Sequence, residues 1–370
     1  MGSWRALAAA LLPVLPVAER RRSGAHDHGC LPLGRGQPEK DRRGQVVLSP
    51  FPTRTVPRWR AAALLPALAL SLAALAVGAA PRGSGNTLQL AEGVYMVAGT
   101  GGVADAANRG RIGNTGFIVG ASGVIVVDTG TSFEQGRALL AAVRDVTDKP
   151  VQLVVITHVR PEFLFGANAF RAAGIPVLMQ TRASRLMTAR CETCLKVLRQ
   201  TLGDETMRGT GTFMPDREFD DSLVLDAGAR PVQLLYFGPS SGPGDVAVFD
   251  PRSRVLFAGG LLDQRRIPDI QDSDLEGWRQ ALLRLRALQP ARIVPGHGTA
   301  GGTEIIDAVE AYLAQLEQKA RNLVQTGVSL IDVSEVLLLP DFSGWDQYDV
   351  IHRRNASIAY LRIEREVFPK

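Results

Sequence analysis

The stretch of sequence that decides the fold is Val151–Gly166, which reads VQLVVITHVRPEFLFG. Its first six residues form an apolar run rich in β-branched side chains, and such a run predicts a strand buried on both faces. From Thr157 onward the sequence turns polar and holds His158, Arg160 and Glu162. Functional residues often lie in loops that follow strand ends. The stretch therefore predicts a buried strand that carries a candidate functional loop.

The segment before this strand predicts a hairpin. Thr115–Val119 and Val124–Val127 are rich in β-branched residues, and Gly120–Gly123 joins them. The range Ser132–Val146 then predicts a helix capped by its first residue. Farther upstream, Leu88–Ala98 alternates apolar and polar residues, which predicts one half-buried strand.

The second half of the chain also mixes strands and helices. Acidic residues before one helix, Asp269, Asp272 and Asp274, are expected to face solvent, with Asp274 as the helix cap. Because strand-rich halves are interrupted by helices, we predict an α+β fold with two sheets packed face to face and helices outside. The predicted strands are Pro176–Met179, Ser222–Leu225, Val232–Phe237, Val246–Phe249, Val255–Ala258 and Arg292–Val294, and the predicted helices are 181–203, Leu275–Leu288, Glu304–Gln325 and about Asp349–Val367.

Two more polar loops follow predicted strands, at Gly238–Asp245 and at Pro295–Gly298. The order and content of these elements resemble the metallo-β-lactamase superfamily, and the resemblance implies an αββα sandwich of the metallo-β-lactamase type. It rests on five features in order: the hairpin leading to Val126-Val127-Asp128-Thr129-Gly130, the strand leading to Thr157-His158, the pair Gly244-Asp245, the segment Val255-Leu256-Phe257-Ala258-Gly259, and the segment Val294-Pro295-Gly296-His297-Gly298.

A narrower resemblance is to the exported quinoprotein relay system zinc metallohydrolase group within that superfamily. It rests on Cys191 and Cys194, on Arg266-Ile267-Pro268 ahead of Gly277-Trp278, and on Asn355 in the last helix. The resemblance implies an exported, metal-dependent hydrolase.

The resemblance also implies a zinc centre, from which this chain departs. Members of the superfamily typically hold one or two zinc ions with the motif H-x-H-x-D-H, a later histidine, a bridging aspartate and a last histidine. His158 and His297 match the first and last histidines, and Glu162 replaces the motif aspartate. Where three histidines and the bridging aspartate are expected, the chain has Arg160, Phe163, Ser241 and Gly260. The resemblance then implies at most one zinc, held by His158, Glu162 and His297 with help from Asp263 or Asp245.

Arg160 allows a second interpretation of the same loop. A guanidinium offers no lone pair to a metal, but it can occupy the place of a cation. We expect it to pair with Glu162 or Asp128 and to bind a small anion, or else to form an ordinary surface ion pair. Ser241 and Asp245 are predicted as further ligand-binding or metal-replacing residues. Asp128 and Glu162 are the predicted catalytic residues, although Asp128 is equally explained as an orienting or a turn residue.

The cysteine pair has several explanations. Cys191 and Cys194 are three residues apart on a predicted helix, so both sulfur atoms lie on one face. In an exported protein the pair forms a disulfide, exchanges with a redox partner or helps to hold a metal. Packing on the core as two small apolar side chains is the simplest alternative.

The charge distribution separates the first 80 residues from the rest. The chain has a formal charge of +5, but residues 1–80 hold eleven bases and four acids, so the other 290 residues carry −2. This argues against nucleic acid as a partner. Residues 1–57 are predicted to be a non-native or disordered leader. Residues 58–80 combine a basic start, an apolar run and small residues, which predicts a signal peptide or, if uncleaved, a membrane anchor.

These observations lead to three functional hypotheses for a periplasmic or secreted protein. Residues 86–300 are the predicted metallo-β-lactamase-like domain, and residues 301–370 are helices packing on it. The first hypothesis is a hydrolase with at most one zinc, acting on a small-molecule substrate. The second is a non-catalytic protein that binds a small anion through Arg160. The third is an accessory protein of a periplasmic redox or quinoprotein pathway, with a redox partner.

Overall fold

The computed structural model of the protein describes residues 86–369. The predicted leader over 1–57 and the predicted signal peptide or anchor over 58–80 lie outside these residues. Among the helices of the described part, none is long and apolar enough to cross a membrane.

Seven strands form the first sheet and lie side by side in chain order. The first three pairings are antiparallel and the last three are parallel. The strands are β1 (Thr87–Ala91), β2 (Val94–Val97), β3 (Thr115–Val119), β4 (Val124–Val127), β5 (Val151–Ile156), β6 (Val177–Gln180) and β7 (Arg217–Phe219).

Five strands form the second sheet: β8 (Leu223–Asp226), β9 (Pro231–Tyr236), β10 (Val246–Asp250), β11 (Val255–Gly259) and β12 (Arg292–Pro295). Their order across the sheet is β12-β11-β10-β9-β8. The β11–β12 pairing is parallel and the others are antiparallel.

Helices cover the outer face of each sheet. Helices α1 (Phe133–Val146), α2 (Pro161–Leu164), α3 (Ala167–Ala172) and α4 (Thr181–Thr206) share a core with the first sheet. Helices α5 (Leu275–Ala287), α6 (Glu304–Gln325), α7 (Leu330–Val336) and α8 (Arg353–Val367) share a core with the second sheet. A third core lies between the sheets. The predicted α+β class and αββα arrangement are confirmed.

The central strand β4 shows why the sequence folds this way. Val124 and Val126 pack against the helices, whereas Ile125 and Val127 point into the core between the sheets. Since successive side chains of a strand alternate between faces, a strand covered on both sides must be apolar at every position. This is the pattern that the sequence predicted for β5.

Some predictions about elements were wrong. The segment predicted as one strand over Leu88–Ala98 is a hairpin, because the chain reverses at Gly93, whose φ of 70° suits glycine. The sequence patterns missed the short elements α2, β7 and α7, and α2 lies within the stretch 157–166 that was predicted to be a loop. The last helix begins later than predicted, since Tyr348–His352 form a π-helical turn before α8.

The strand ends bring the predicted site loops together. Asp128 follows β4, Thr157 and His158 follow β5, and Gly260 and His297 follow β11 and β12 respectively. The pairs β4–β5 and β11–β12 are parallel, so the carboxyl ends within each pair lie on the same edge of their sheet. Contacts of Phe163 with His158 and of Glu162 with His297 bring the loops of the two sheets together.

Candidate functional site

A hydrogen-bonded chain fixes the orientation of His158. The Asp128 carboxylate accepts hydrogen bonds from the backbone N and the Oγ1 of Thr157, both at 2.8 Å. Thr157 Oγ1 also lies 2.7 Å from His158 Nδ1. Because the hydroxyl proton goes to Asp128, we assign a proton to Nδ1 of His158, which leaves the lone pair on Nε2.

Burial sets the protonation states along this chain. It raises the pKa of Asp128 to about 7 against the effect of the two Thr157 hydrogen bonds. Burial and the charge of Arg160 lower the pKa of His158 to about 3. His158 is therefore a neutral imidazole near pH 7.

His297 is held between two carboxylates. Its Nδ1 lies 2.8 Å from Asp263 Oδ1, and its Nε2 lies 3.2 Å from Glu162 Oε1. Burial opposes charge on all three groups, but their mutual attraction is stronger. The pKa of Glu162 falls to about 2, the pKa of Asp263 is lowered, and the pKa of His297 is raised. Ionised carboxylates only accept hydrogen bonds, so both ring nitrogens of His297 must donate.

Phe163 lies between the two histidines. Its ring is fully buried, with its centroid 4.3 Å from that of His158 and 5.1 Å from that of His297. The aromatic ring thus fills the middle of the centre without offering a lone pair.

The region around Gly260 is also filled. A Cβ atom at this position would lie 2.7 Å from Asp245 Oδ2 and 2.8 Å from His158 Cδ2. Asp245 is itself fixed by the Ser241 hydroxyl, which donates to Oδ2 at 2.7 Å. Burial raises the pKa of Asp245 to about 6. The predicted residues Ser241 and Asp245 therefore lie together, beside His158.

Arg160 has a different partner from those expected. The sequence predicted Glu162 or Asp128, but Arg160 Nη1 donates to Asp269 Oδ2 at 3.0 Å. Arg354, on α8, donates to the same carboxylate oxygen. Asp269 consequently does not face solvent as predicted, and its side chain is only 13% exposed. Of its acidic neighbours, Asp274 caps α5 as predicted, and Asp272 pairs with Arg190.

The fit of zinc can be judged from these donors. Arg160 and Phe163 have no lone pair for a metal, and the Cβ of an aspartate at position 260 would lie 2.7 Å from Asp245 Oδ2 and 2.8 Å from His158 Cδ2. Within residues 86–369, no group of three or more His, Cys, Asp or Glu side chains is placed to hold a metal ion. The residues present do not fit the zinc centre typical of the family.

The remaining candidates lie at the edges of the site or away from it. Cys191 is buried in the core under α4, Cys194 is half-buried, and both are free thiols that share a hydrogen bond. That hydrogen bond lowers the pKa of Cys194, and the charge of Glu162 acts against it. His352 is buried between Tyr312 and Leu337, so it takes no part in the site.

Arg354 was not predicted as a site residue, and Asp269 was expected to face solvent. Arg354 lies 85 residues from Asp269 along the chain, so no local pattern joins them. One signal was present in the sequence. Asn355 is one of the residues on which the narrower family resemblance rests. Its side chain forms hydrogen bonds with the backbone of Pro268 and Ile270, on both sides of Asp269.

The two sheets, the four layers and the loops at the strand ends define a metallo-hydrolase-type fold. The chain belongs to the metallo-beta-lactamase superfamily, whose family model matches residues 108–297, about half of the chain. Members of this family typically bind zinc. The narrower quinoprotein relay assignment stays a prediction.

Several relatives are similar over part of the chain. A linear primary-alkylsulfatase of Pseudomonas sp. (strain ATCC 19151) is 26% identical over 265 residues, which cover 61% of this chain and 50% of the relative. A metallo-beta-lactamase type 2 of Bacteroides fragilis is 32% identical over 110 residues, which cover 28% of this chain and 44% of the relative. The chain thus spans about half the length of these relatives.

Solved structures give the same fold. A metallo-beta-lactamase from Pontibacter korlensis matches with a TM-score of 0.50 at 19% identity, covering 62% of this chain and 98% of that one. The solved structure of TMB-1 matches with a TM-score of 0.50 at 14% identity, covering 62% of this chain and 96% of that one. At such identities the likeness shows the fold alone.

Proposed function

We propose that this protein is a metal-free member of the superfamily that binds a small oxyanion between Arg160 and Arg354. The observation that carries the proposal is the sharing of one Asp269 oxygen by two guanidinium groups. Each guanidinium is permanently charged, and both share this one carboxylate as their ion-pair partner, while Glu162 and Asp263 act on Arg160 through charge alone.

The two arginines are accessible where the rest of the centre is closed. Their side chains are 27% and 28% exposed, whereas His158, Phe163 and His297 are buried. Arg354 Nε is buried without a hydrogen-bond partner among the described residues. A buried donor without a partner costs free energy, and an oxyanion with several acceptor atoms would satisfy such donors.

The chemistry of the centre supports binding more than hydrolysis. His158 keeps a free Nε2, but a pKa of about 3 makes it a weak base near neutral pH. Glu162, predicted to be catalytic, is held by His297 and has a pKa of about 2. The alkylsulfatase relative acts, by its name, on an alkyl sulfate. An anionic ligand for this chain is consistent with that likeness.

The proposal is tested by metal analysis of the purified protein and by calorimetric titration with sulfate at low ionic strength. We expect no stoichiometric zinc, saturable sulfate binding, and at least a tenfold loss of affinity in Arg354→Ala. The neighbouring Arg353→Ala, which removes an exposed pair with Glu335, is the matched control and should bind as the wild type does. Asp269→Ala should bind sulfate more tightly, because it frees both guanidinium groups.

Two results would overturn the proposal. One is equal sulfate affinity in Arg354→Ala and Arg353→Ala. The other is zinc at one or two ions per chain that is lost in His297→Ala, which would instead support the mono-zinc or di-zinc hydrolase. Export to the periplasm, and a redox partner for Cys191 and Cys194, stay predictions. Sequencing the mature N terminus and titrating the thiols would test them.

A further inference from the structure

A cavity of about 350 Å³ lies on the α1 side of the turn that follows β4. Its lining includes Val97 at the end of β2, Thr115 of β3, the loop around Ala107, and Leu139 and Ala142 of α1. Thr129 and Gly130, which follow Asp128 in the chain, also line it. None of the residues that contact Arg160 or Arg354 lines it, so it is distinct from the proposed oxyanion site.

The loop that closes the cavity is held by specific hydrogen bonds. Asn108 accepts from Asp105 N and Gly110 N and donates to Val103 O at 2.6 Å. Gln135 of α1 donates to Arg109 O at 2.7 Å, and Thr131 donates to Gly110 O. These bonds tie the loop to itself and to α1, so the cavity is formed before any ligand binds.

The rim of the cavity carries more positive than negative charge. Arg109 is paired with Glu134, and both line the cavity. Arg111 also lines it, is exposed, and forms no ion pair within residues 86–369. The lining combines apolar side chains such as Val97, Leu139 and Ala142 with polar ones such as Ser132 and Gln135, and the exposed guanidinium of Arg111 has no ion-pair partner among the described residues. This combination matches a ligand with an apolar body and one acidic head group.

We propose that this cavity binds a medium-chain amphiphilic monoanion, with its alkyl chain against Val97, Leu139 and Ala142 and its head group at Arg111. The volume lies at the lower end of the range of ligand pockets, roughly 300–1,000 Å³, which suits an alkyl chain of about eight carbons. The acid is either a carboxylate or a sulfate, and both present oxygen acceptors to a guanidinium.

The proposal is tested by calorimetric titration of the full protein with octanoate and with octyl sulfate. Octylamine tests the charge, and butyrate tests the chain length. We expect saturable binding of at least one octyl anion, at least tenfold tighter than that of octylamine or butyrate. A preference between carboxylate and sulfate identifies the head group.

Two variants locate the binding. Arg111→Ala should weaken it at least tenfold, whereas Arg137→Ala, an exposed arginine of α1 outside the cavity, should leave it unchanged. Ala138→Trp changes an exposed lining residue and should block the cavity. Arg354→Ala should not affect octanoate, so this proposal can succeed or fail separately from the oxyanion site. Absence of saturable binding, equal binding of octylamine, or full binding by Ala138→Trp would overturn it.

Discussion

At position 163 an aromatic ring lies between the two histidines of the site. Phe163 contacts both remaining histidines, and its burial excludes water from the space between them. In low dielectric, charged groups need partners close by. His297 lies within 3.2 Å of two carboxylates, whose charges raise its pKa and favour its protonated form.

Asp128 provides a prediction about pH at the scale of a single residue. Its pKa is about 7 in the folded protein and about 4 when unfolded. Between these values the folded state binds more protons than the unfolded state, so the free energy of unfolding falls as pH rises from 4 to 7. Asp128→Asn cannot titrate. Urea unfolding measures this difference. Between pH 5 and pH 8, we expect the free energy of unfolding of Asp128→Asn to fall by at least about 1 kcal/mol less than that of the wild type.

The control for this prediction is Asp145→Asn, an exposed carboxylate on α1. It should keep the wild-type dependence on pH. Some slope should also remain in Asp128→Asn, because burial raises the pKa of Asp245 in the same direction. If the free energy of unfolding depended on pH equally in Asp128→Asn and Asp145→Asn, burial of Asp128 would not be the cause.

The same residues show how far sequence can predict this site. Hydrophobic patterning predicted the strands whose ends carry these loops, and the resemblance to the superfamily implied that His158, Glu162 and His297 share one centre. The partner of Arg160 was not predictable in this way, since Asp269 lies 109 residues away. Which carboxylate pairs with a guanidinium depends on how the loops pack in three dimensions. Periodic patterns in the sequence do not predict that packing.

At the scale of elements, α8 supports the proposed oxyanion site, although it lies outside residues 108–297, which match the superfamily model. It supplies Arg354, and the next residue, Asn355, is fully buried. Asn355 Nδ2 donates to Pro268 O at 2.6 Å and to Tyr312 Oη at 2.9 Å, and Oδ1 accepts from Ile270 N at 3.2 Å. These bonds hold the segment on both sides of Asp269.

Asn355→Ala should therefore affect both stability and binding. Removing the amide leaves the buried backbone groups of Pro268 and Ile270 without partners, which costs roughly 1–3 kcal/mol for each such group. We expect urea unfolding to show a loss of about 2–4 kcal/mol and calorimetry to show weaker sulfate binding. Asn322→Ala, at an exposed position of α6, should change neither property. Wild-type stability in Asn355→Ala would show that the segment is held by other contacts.

Periodicity predicted the long elements better than the junctions between them. The start of α1 follows from its Ser132 cap, whereas apolar spacing alone predicts α6, which begins without a side-chain cap. The reversal at Gly93 was missed because an alternating pattern continues through it on both sides. Its glycine is required by a long-range contact as well, since a Cβ atom there would lie 2.3 Å from Arg230 Nη1.

At the scale of the whole molecule, one buried ion pair ties the two sheets together. Arg230 immediately precedes β9. Its Nη2 donates to Asp250 Oδ2 of β10 at 2.7 Å, and its side chain is only 3% exposed. The same guanidinium donates to Val119 O of β3 at 2.9 Å and to Glu92 O in the β1–β2 turn at 3.0 Å. One side chain thus satisfies acceptors from both sheets.

Arg230→Ala should accordingly be strongly destabilising, because it leaves the buried carboxylate of Asp250 without its cation. Loss of one partner of a buried pair typically costs about 3–5 kcal/mol. Burial alone would raise the pKa of Asp250, and Arg230 holds it below its usual range. Without Arg230 the carboxyl of Asp250 should protonate more readily, so the loss of stability should be smaller at pH 4 than at pH 8.

The control is Arg252→Ala, whose pair with Glu92 is exposed, and it should cost less than about 1 kcal/mol. Urea unfolding of both variants at the two pH values measures the difference, and equal losses would mean that the sheets are held by their apolar core alone.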